Sequence, residues 1–328
     1  MKSNLKPAFC RVDSLLGVVL SLCAVCAQAQ SGSEAANYSY FAQLGQGNNA
    51  IVTANTQAVA NMACVPTATA NGLNYLANYA EFNLDLASPF STSPNSYAQV
   101  NNMITAFKTD GSGTETGDQF TGLVSYLGAG GANPSPTVAV KGQYSPATPA
   151  GWGPPAVSTA QFTQATPSAS YLAQQLNANA AVELGIQWGT VSGGSFTIGR
   201  GAHELTLYQI SVSSGGTGTI SFIDPWGNNA NNTAGSSALQ VISASLQTIN
   251  GFLVLTFPTA YVGPDPSELA PTGTAIGGLN GQSARILDDT VEYLVPVPEP
   301  ATYLAGALLL LPFGSAAVRQ LRRKFQAA

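Results

Sequence analysis

Cys64 is the only cysteine between the two terminal segments of this 328-residue chain. A lone thiol forms no internal disulfide. With His203 as the single histidine, the chain also lacks the ligands of a Cys/His zinc site. Residues 30–298 must therefore be held by an apolar core, and their grouped Leu, Ile, Val and aromatic residues supply one. This region carries four basic residues (Lys108, Lys141, Arg200, Arg285) against fourteen acidic ones. Phosphate contacts need Lys and Arg, so nucleic acid is excluded as a partner. Gly, Ala, Ser, Thr and Asn dominate the rest, as in a secreted protein solvated by neutral polar groups. The length fits one domain, with no internal repeat.

The remaining cysteines, Cys10, Cys23 and Cys26, lie in an N-terminal segment with secretory features. Lys2, Lys6 and Arg11 form a positive start, Leu15 to Cys26 is apolar apart from Ser21, and Ala27-Gln28-Ala29 is an A-x-A cleavage site. At the other end, Pro298-Glu299-Pro300 precedes an uncharged apolar run, Tyr303 to Val318, closed by Arg319, Arg322, Arg323 and Lys324. A span of that length with cations at its C-terminal side predicts a membrane helix whose basic end stays in the cytoplasm. This three-part tail resembles the PEP-CTERM sorting signal. The resemblance implies handling by the Sec translocon, recognition by an exosortase, and delivery to the cell surface or exterior among exopolysaccharide. A permanent single-pass anchor is the alternative.

Periodicity organises the middle. Val65 to Phe82 predicts a helix with Leu73, Leu76, Ala77 and Ala80 on one stripe, and further helices are expected at 97–107, 119–127 and 168–180. Short strands are expected at 137–144 and 182–188. His203 to Val212 alternates, and Gly215-Gly216 turns it into Thr219 to Ile223. Gly251 to Phe257 reads as another strand. Residues 263–296, rich in Pro, Gly and acid, read as a linker with room for a short strand near Ala284 to Leu287, and with Asp288-Asp289 as a solvated pair. The expected organisation is a signal peptide (1–29), a catalytic domain (30–262), the linker (263–296) and the sorting segment (297–328).

Three short motifs carry chemistry. Cys64 opens Cys-Val-Pro-Thr-Ala-Thr-Ala-Asn, where Pro66 suits a first helical turn. A helix N-terminus favours a thiolate, and the Cys64 N–H suits an oxyanion. His203 begins an alternating strand after Gly199-Arg200-Gly201-Ala202. A base needs a group to hold its ring, and Asp224 of Ile-Asp-Pro-Trp-Gly ends the neighbouring strand. Asn228 and Asn229 are alternatives for that role. Trp188, Trp226 and Tyr208 either fill the core or line the cleft.

These motifs, in the order Cys, His, Asp, resemble those of papain-like cysteine peptidases, nearest to the bacteriocin-processing and streptopain-like branches. The resemblance implies an α+β, papain-like fold: a helical N-terminal part with the Cys at a helix start, and a C-terminal antiparallel sheet carrying His and Asp. One C-terminal transmembrane helix completes the expected architecture. It implies Cys64 as nucleophile, His203 as base and then acid, Asp224 as orienter, and Gln57 as oxyanion donor, with Asn61 competing for that last place. Val65 and Ala202 depart from the Cys-Gly and Gly-His pairs usual in that family. The expected activity is hydrolysis of peptide bonds in a peptide or protein substrate, with no cofactor and no metal. A non-catalytic surface protein that kept the fold, and a thioester acyltransferase or deamidase, are the alternatives.

Overall fold

The computed structural model describes residues 29–34, 40–41, 44–46, 48–79, 97–129, 137–148, 161–226, 241–258 and 283–295. Helix starts follow local rules. Asn48 accepts from the Ala50 N–H to cap α1 (Asn49–Ala54), and Thr56 accepts from the Val59 N–H to cap α2 (Gln57–Asn61). In α3 (Cys64–Tyr79) the first helical bond runs from the Thr67 N–H to the Ala63 carbonyl at 3.1 Å. Ala63 offers no side-chain acceptor, so the first amides of α3, that of Cys64 among them, have no intrahelical partner.

Every residue of α3 from Val65 to Leu76 is buried. A helix buried on all sides needs small residues where backbones approach, and Ala68, Ala70 and Gly72 provide them. A Cβ at Gly72 would run into the Glu183 carboxyl. Around α3 stand α4 (Tyr97–Ala106) and α5 (Thr116–Ala129). Leu73, Tyr75, Leu76, Met103, Phe107 and Phe120 share one core there. The sixth helix, α6 (Ala169–Asn177), is capped by Ser168.

The strands are β1 (Gln30–Ser33), β2 (Thr137–Tyr144), β3 (Phe162–Gln164), β4 (Ala181–Ser192), β5 (Ser195–Val212), β6 (Thr217–Ile223), β7 (Val241–Ile249), β8 (Phe252–Thr256) and β9 (Ser283–Val295). Pairing runs β5–β6–β7–β8–β9, and β4 joins β9 back to β5. Strands β4 to β9 thus close a ring, which leaves no open edge among them. β1 extends the sheet along β5, β2 along β9, and β3 pairs parallel to β2. Two tight hairpins use left-handed backbone at Gly193-Gly194 (φ 58° and 76°) and Asn250-Gly251 (φ 52° and 82°).

Alternation separates two surfaces of the ring. Leu184, Ile186, Trp188, Leu205, Leu207 and Phe222 turn into one core, to which α6 adds Leu172 and Leu176. The opposite positions on β4, β5 and β9 meet α3. There the Thr206 hydroxyl donates to the Ala68 carbonyl at 3.0 Å.

This architecture corrects the sequence expectation. The fold is mixed and sheet-rich, with strands before, between and after the helices and one parallel pair, rather than a papain-like α+β arrangement of helices first and antiparallel sheet second. No helix among the described residues is long and apolar enough to cross a membrane. Residues 1–28 of the segment read as signal peptide (1–29), and the whole apolar anchor and sorting segment (297–328), lie outside the described residues. The linker reading of 263–296 fails at its C-terminal part. Residues 283–295 are β9, hydrogen-bonded to three strands, and Asp288 and Asp289 are buried rather than solvated. Three acids in thirteen residues masked the strand pattern. His203 is not at a strand start either. Residues 195–198 and 203–212 are one strand running through Gly199-Arg200-Gly201.

Trp188 is the largest fully buried side chain, wedged between His203 (ring centroids 6.4 Å apart) and Phe257 (5.1 Å). Trp188→Ala is expected to lower unfolding free energy by about 3–5 kcal/mol in urea denaturation, because the surrounding ring of strands cannot collapse into the void.

Candidate functional site

Two elements bring the lone thiol and the lone imidazole together. Cys64 is carried by the N-terminus of α3, and His203 by β5, the strand on which α3 rests. Both line one cavity of about 500 Å³, whose other walls come from α5, the Gly113 turn, β4 and β9. Cys64 is half-buried, while the His203 side chain is wholly buried.

The His203 Nε2 lies 2.7 Å from Asp224 Oδ1. Asp224 is also wholly buried, and its Oδ1 accepts from the Trp226 N–H at 2.8 Å. The Asp-Pro-Trp sequence thus makes a turn that holds its own carboxylate still. Trp226 and Tyr208 are buried, in keeping with packing roles, as is Trp188. Asn228 and Asn229 lie outside the described residues.

With Nε2 committed to Asp224, Nδ1 is the free ring nitrogen. It is buried and has no partner within hydrogen-bond distance among the described residues. The Cys64 thiol instead makes a long contact, 4.0 Å, with the Met62 carbonyl. Burial of the ring opposes its protonation. The Asp224 carboxylate outweighs that by charge and hydrogen bond, Cys64 adds to it, and the His203 pKa rises to about 10. The arrangement therefore holds an imidazolium next to sulfur at neutral pH.

Gln57 is not brought into the site. It is exposed at the start of α2, its amide donates to Asn61 Oδ1 at 2.7 Å, and it does not line the cavity. Neither does its competitor, Asn61. The glutamine that does line the cavity is Gln119 of α5, whose amide donates to Glu204 Oε1 at 2.9 Å. A second glutamine, the buried Gln46, ties the two halves of the site. Its N–H donates to the Pro225 carbonyl at 2.9 Å and its side-chain amide donates to the Asn61 carbonyl. That clamps the turn before Cys64 to the loop after Asp224. No local pattern marks either glutamine, because each acts on residues far away in sequence.

Sequence reading also missed a set of buried acids beneath α3, Glu183, Glu204, Asp288 and Glu292, and a further buried acid, Asp289, that meets Tyr171 of α6 on the other surface. Burial pushes the Glu183 pKa well above the usual carboxylate range, and the neighbouring Glu292 pushes it further. Two carboxylates only accept, so the pair is hydrogen-bonded only while one of them holds a proton. Thr290 Oγ1 donates to Glu183 Oε2 at 3.1 Å. Glu292 itself is raised by burial to about 7.

No family model matches the chain, and no curated protein matches it in sequence. The reading of the site rests on its geometry.

The single histidine makes its titration directly visible. The His203 imidazole resonances are expected to titrate near pH 10, and in Asp224→Asn the midpoint should fall by more than a unit. A folded pKa above the unfolded value of about 6.5 means that this pair's contribution is complete below that pH and fades as pH rises toward 10. Glu292 behaves alike in a lower window. As an acid whose folded pKa is raised, it contributes stability that is complete below its unfolded pKa and is lost as pH rises through about 7. Denaturant midpoints of Glu292→Gln, measured from pH 4 to 8, should therefore decline less steeply than those of the parent.

Proposed function

We propose that this protein is a thiol hydrolase of the cysteine-peptidase type, with Cys64 as nucleophile, His203 as general base and acid, and Asp224 as the group that orients the imidazole. The observation that carries this reading is the shared cavity. Cys64 and His203 both face it, and the imidazole presents Nδ1 free because Nε2 is held 2.7 Å from Asp224. A nucleophile, a base and an orienter in this relation form the general apparatus of covalent acyl transfer.

In this mechanism the proton that the ring carries at neutral pH is the one given up by the sulfur, so the reacting pair is a Cys64 thiolate, turned from the Met62 carbonyl toward Nδ1, and the His203 imidazolium. The thiolate attacks a peptide carbonyl, and a new C–S bond forms as the carbonyl oxygen takes up charge. The amide of Cys64, at the unpaired start of α3, is suited to stabilise that oxyanion. The imidazolium then protonates the departing amine as the C–N bond breaks. Water, deprotonated by the same ring, hydrolyses the thioester and restores the thiol. Asp224 keeps the ring aligned and offsets its positive charge throughout. Contacts of this kind are commonly long before substrate binds and tighten with it. Export through the N-terminal segment and sorting through Pro298-Glu299-Pro300 and the basic end at Arg319–Lys324 complete the proposal, placing the hydrolase at the cell surface.

Iodoacetamide at neutral pH is expected to alkylate Cys64 faster than it alkylates free cysteine, with the advantage lost in His203→Ala. Peptidase turnover in that variant should drop by about 10²–10⁴-fold, the usual span for a lost general base. A thiol that reacts no faster than free cysteine, with no peptide cleavage, overturns the reading.

A further inference from the structure

The walls of the cavity carry a feature that the acyl-transfer chemistry does not use. Five acids line it (Asp110, Glu115, Asp118, Glu204, Asp288), against two basic residues, Lys108 and His203, the second already held by Asp224. Lys108 is largely exposed and is already paired with Asp118. Glu204 and Asp288 differ from the other acids in being almost wholly buried, 2% and 4% exposed.

The sheet register sets this pair. Gly185 of β4 stands opposite Glu204 on β5 and opposite Asp288 on β9. A glycine is required between them, because a Cβ at 185 would occupy the place of the Asp288 carboxyl. From the other side, α5 orients both acids. Thr116 Oγ1 donates to Asp288 Oδ2 at 3.0 Å, and Gln119 donates to Glu204 Oε1. The second oxygen of Glu204 has no hydrogen-bond partner among the described residues. The carboxyl also lies within electrostatic reach of Cys64, His203 and Asp288. It is thus a buried acid group, half satisfied, beside the thiol.

We infer that this cavity receives a cationic group of the substrate, a lysine- or arginine-type side chain next to the bond attacked, with Glu204 and Asp288 as its counter-charges. The word substrate rests on the hydrolase reading above; the cation preference does not. Two adjacent buried carboxyls favour keeping a proton, and the His203 ring, already paired with Asp224, offsets this only in part. Burial first, and then Asp288, push Glu204 well above the usual carboxylate range, while burial raises Asp288 to about 6. An ammonium or guanidinium brought between them replaces that proton and pairs with both oxygens. A neutral group of equal shape leaves the acids unsatisfied, which is the situation in which a buried polar site discriminates most strongly. The volume of about 500 Å³ accommodates such a side chain together with the backbone at the thiol.

The test uses the full chain as Cys64→Ser, so that binding is read without turnover. Nα-acetyl-arginine amide and its uncharged counterpart Nα-acetyl-citrulline amide are titrated in, followed by calorimetry and by the His203 imidazole resonances. The arginine compound should bind at least tenfold more tightly and shift the His203 signals, and the gap should narrow in Glu204→Gln and in Asp288→Asn. Equal affinities, no binding by either compound, or a gap unchanged in both variants overturns the inference. The comparison of the two compounds needs neither acid variant, so a variant that fails to fold does not block it. Alkylation of Cys64 in the parent chain separates the two claims. An inert thiol with the cation preference intact sinks the hydrolase alone, and a reactive thiol with no preference sinks the cation site alone.

Discussion

Helix α3 sits so close to β4 and β5 that a side-chain hydroxyl of the strand bonds to the backbone of the helix, Thr206 to Ala68. The approach is possible because Gly72 has no side chain where Glu183 needs room. All else in the site depends on this seating. It brings the first residue of the helix, Cys64, over the strand that carries His203. A larger residue along this face would lift the helix and open the cavity before any catalytic atom was changed.

What lies under the helix is unusual for a helix–sheet interface. Instead of an apolar layer, the outward positions of β4, β5 and β9 present carboxyls and threonines, while the apolar residues of the same strands turn into the ring. Buried acids without cations are tolerated only as neutral, proton-sharing groups. Glu183 with Glu292 and Glu204 with Asp288 are therefore held in a form that depends on pH and on what enters the cavity. His203 is the opposite case. Its positive form is buried, but the Asp224 carboxylate is locked against it by the Trp226 N–H. One site thus sets a histidine whose positive form is favoured by Asp224 beside acids whose neutral forms are favoured by burial.

Much of the local structure was legible. The periodicities around residues 64–79, 97–106 and 169–177 are those of helices, and the Gly193-Gly194 and Gly216 turns mark hairpins. The residue types of the site were legible too, since one thiol and one imidazole leave no choice. The rest was not, for identifiable reasons. β7 and β9 carry polar or acidic residues at positions whose burial is created only by strands and helices from elsewhere, so their composition imitates a loop. The reading of helices followed by sheet failed because β1 and β3 are very short, and because β1 and β2 are stabilised by partners more than a hundred residues away, β5 and β9. Gln57 has the spacing of an oxyanion donor, yet the short helix α2 turns it outward to Asn61, while Gln119 and Gln46 reach the site from segments with no motif.

The linear order of residues settled the chemical inventory: one cysteine between the terminal segments, one histidine, and an acid-rich middle. Those are properties of composition and short-range pattern, which do not change when the chain folds. Tertiary structure alone decided that strands β4 to β9 close on themselves, that Asp224 meets the His203 ring, and that Glu204 and Asp288 flank Gly185 in the cavity that Cys64 lines. These depend on register between strands far apart in sequence, where a slip of one residue would send every side chain to the other surface.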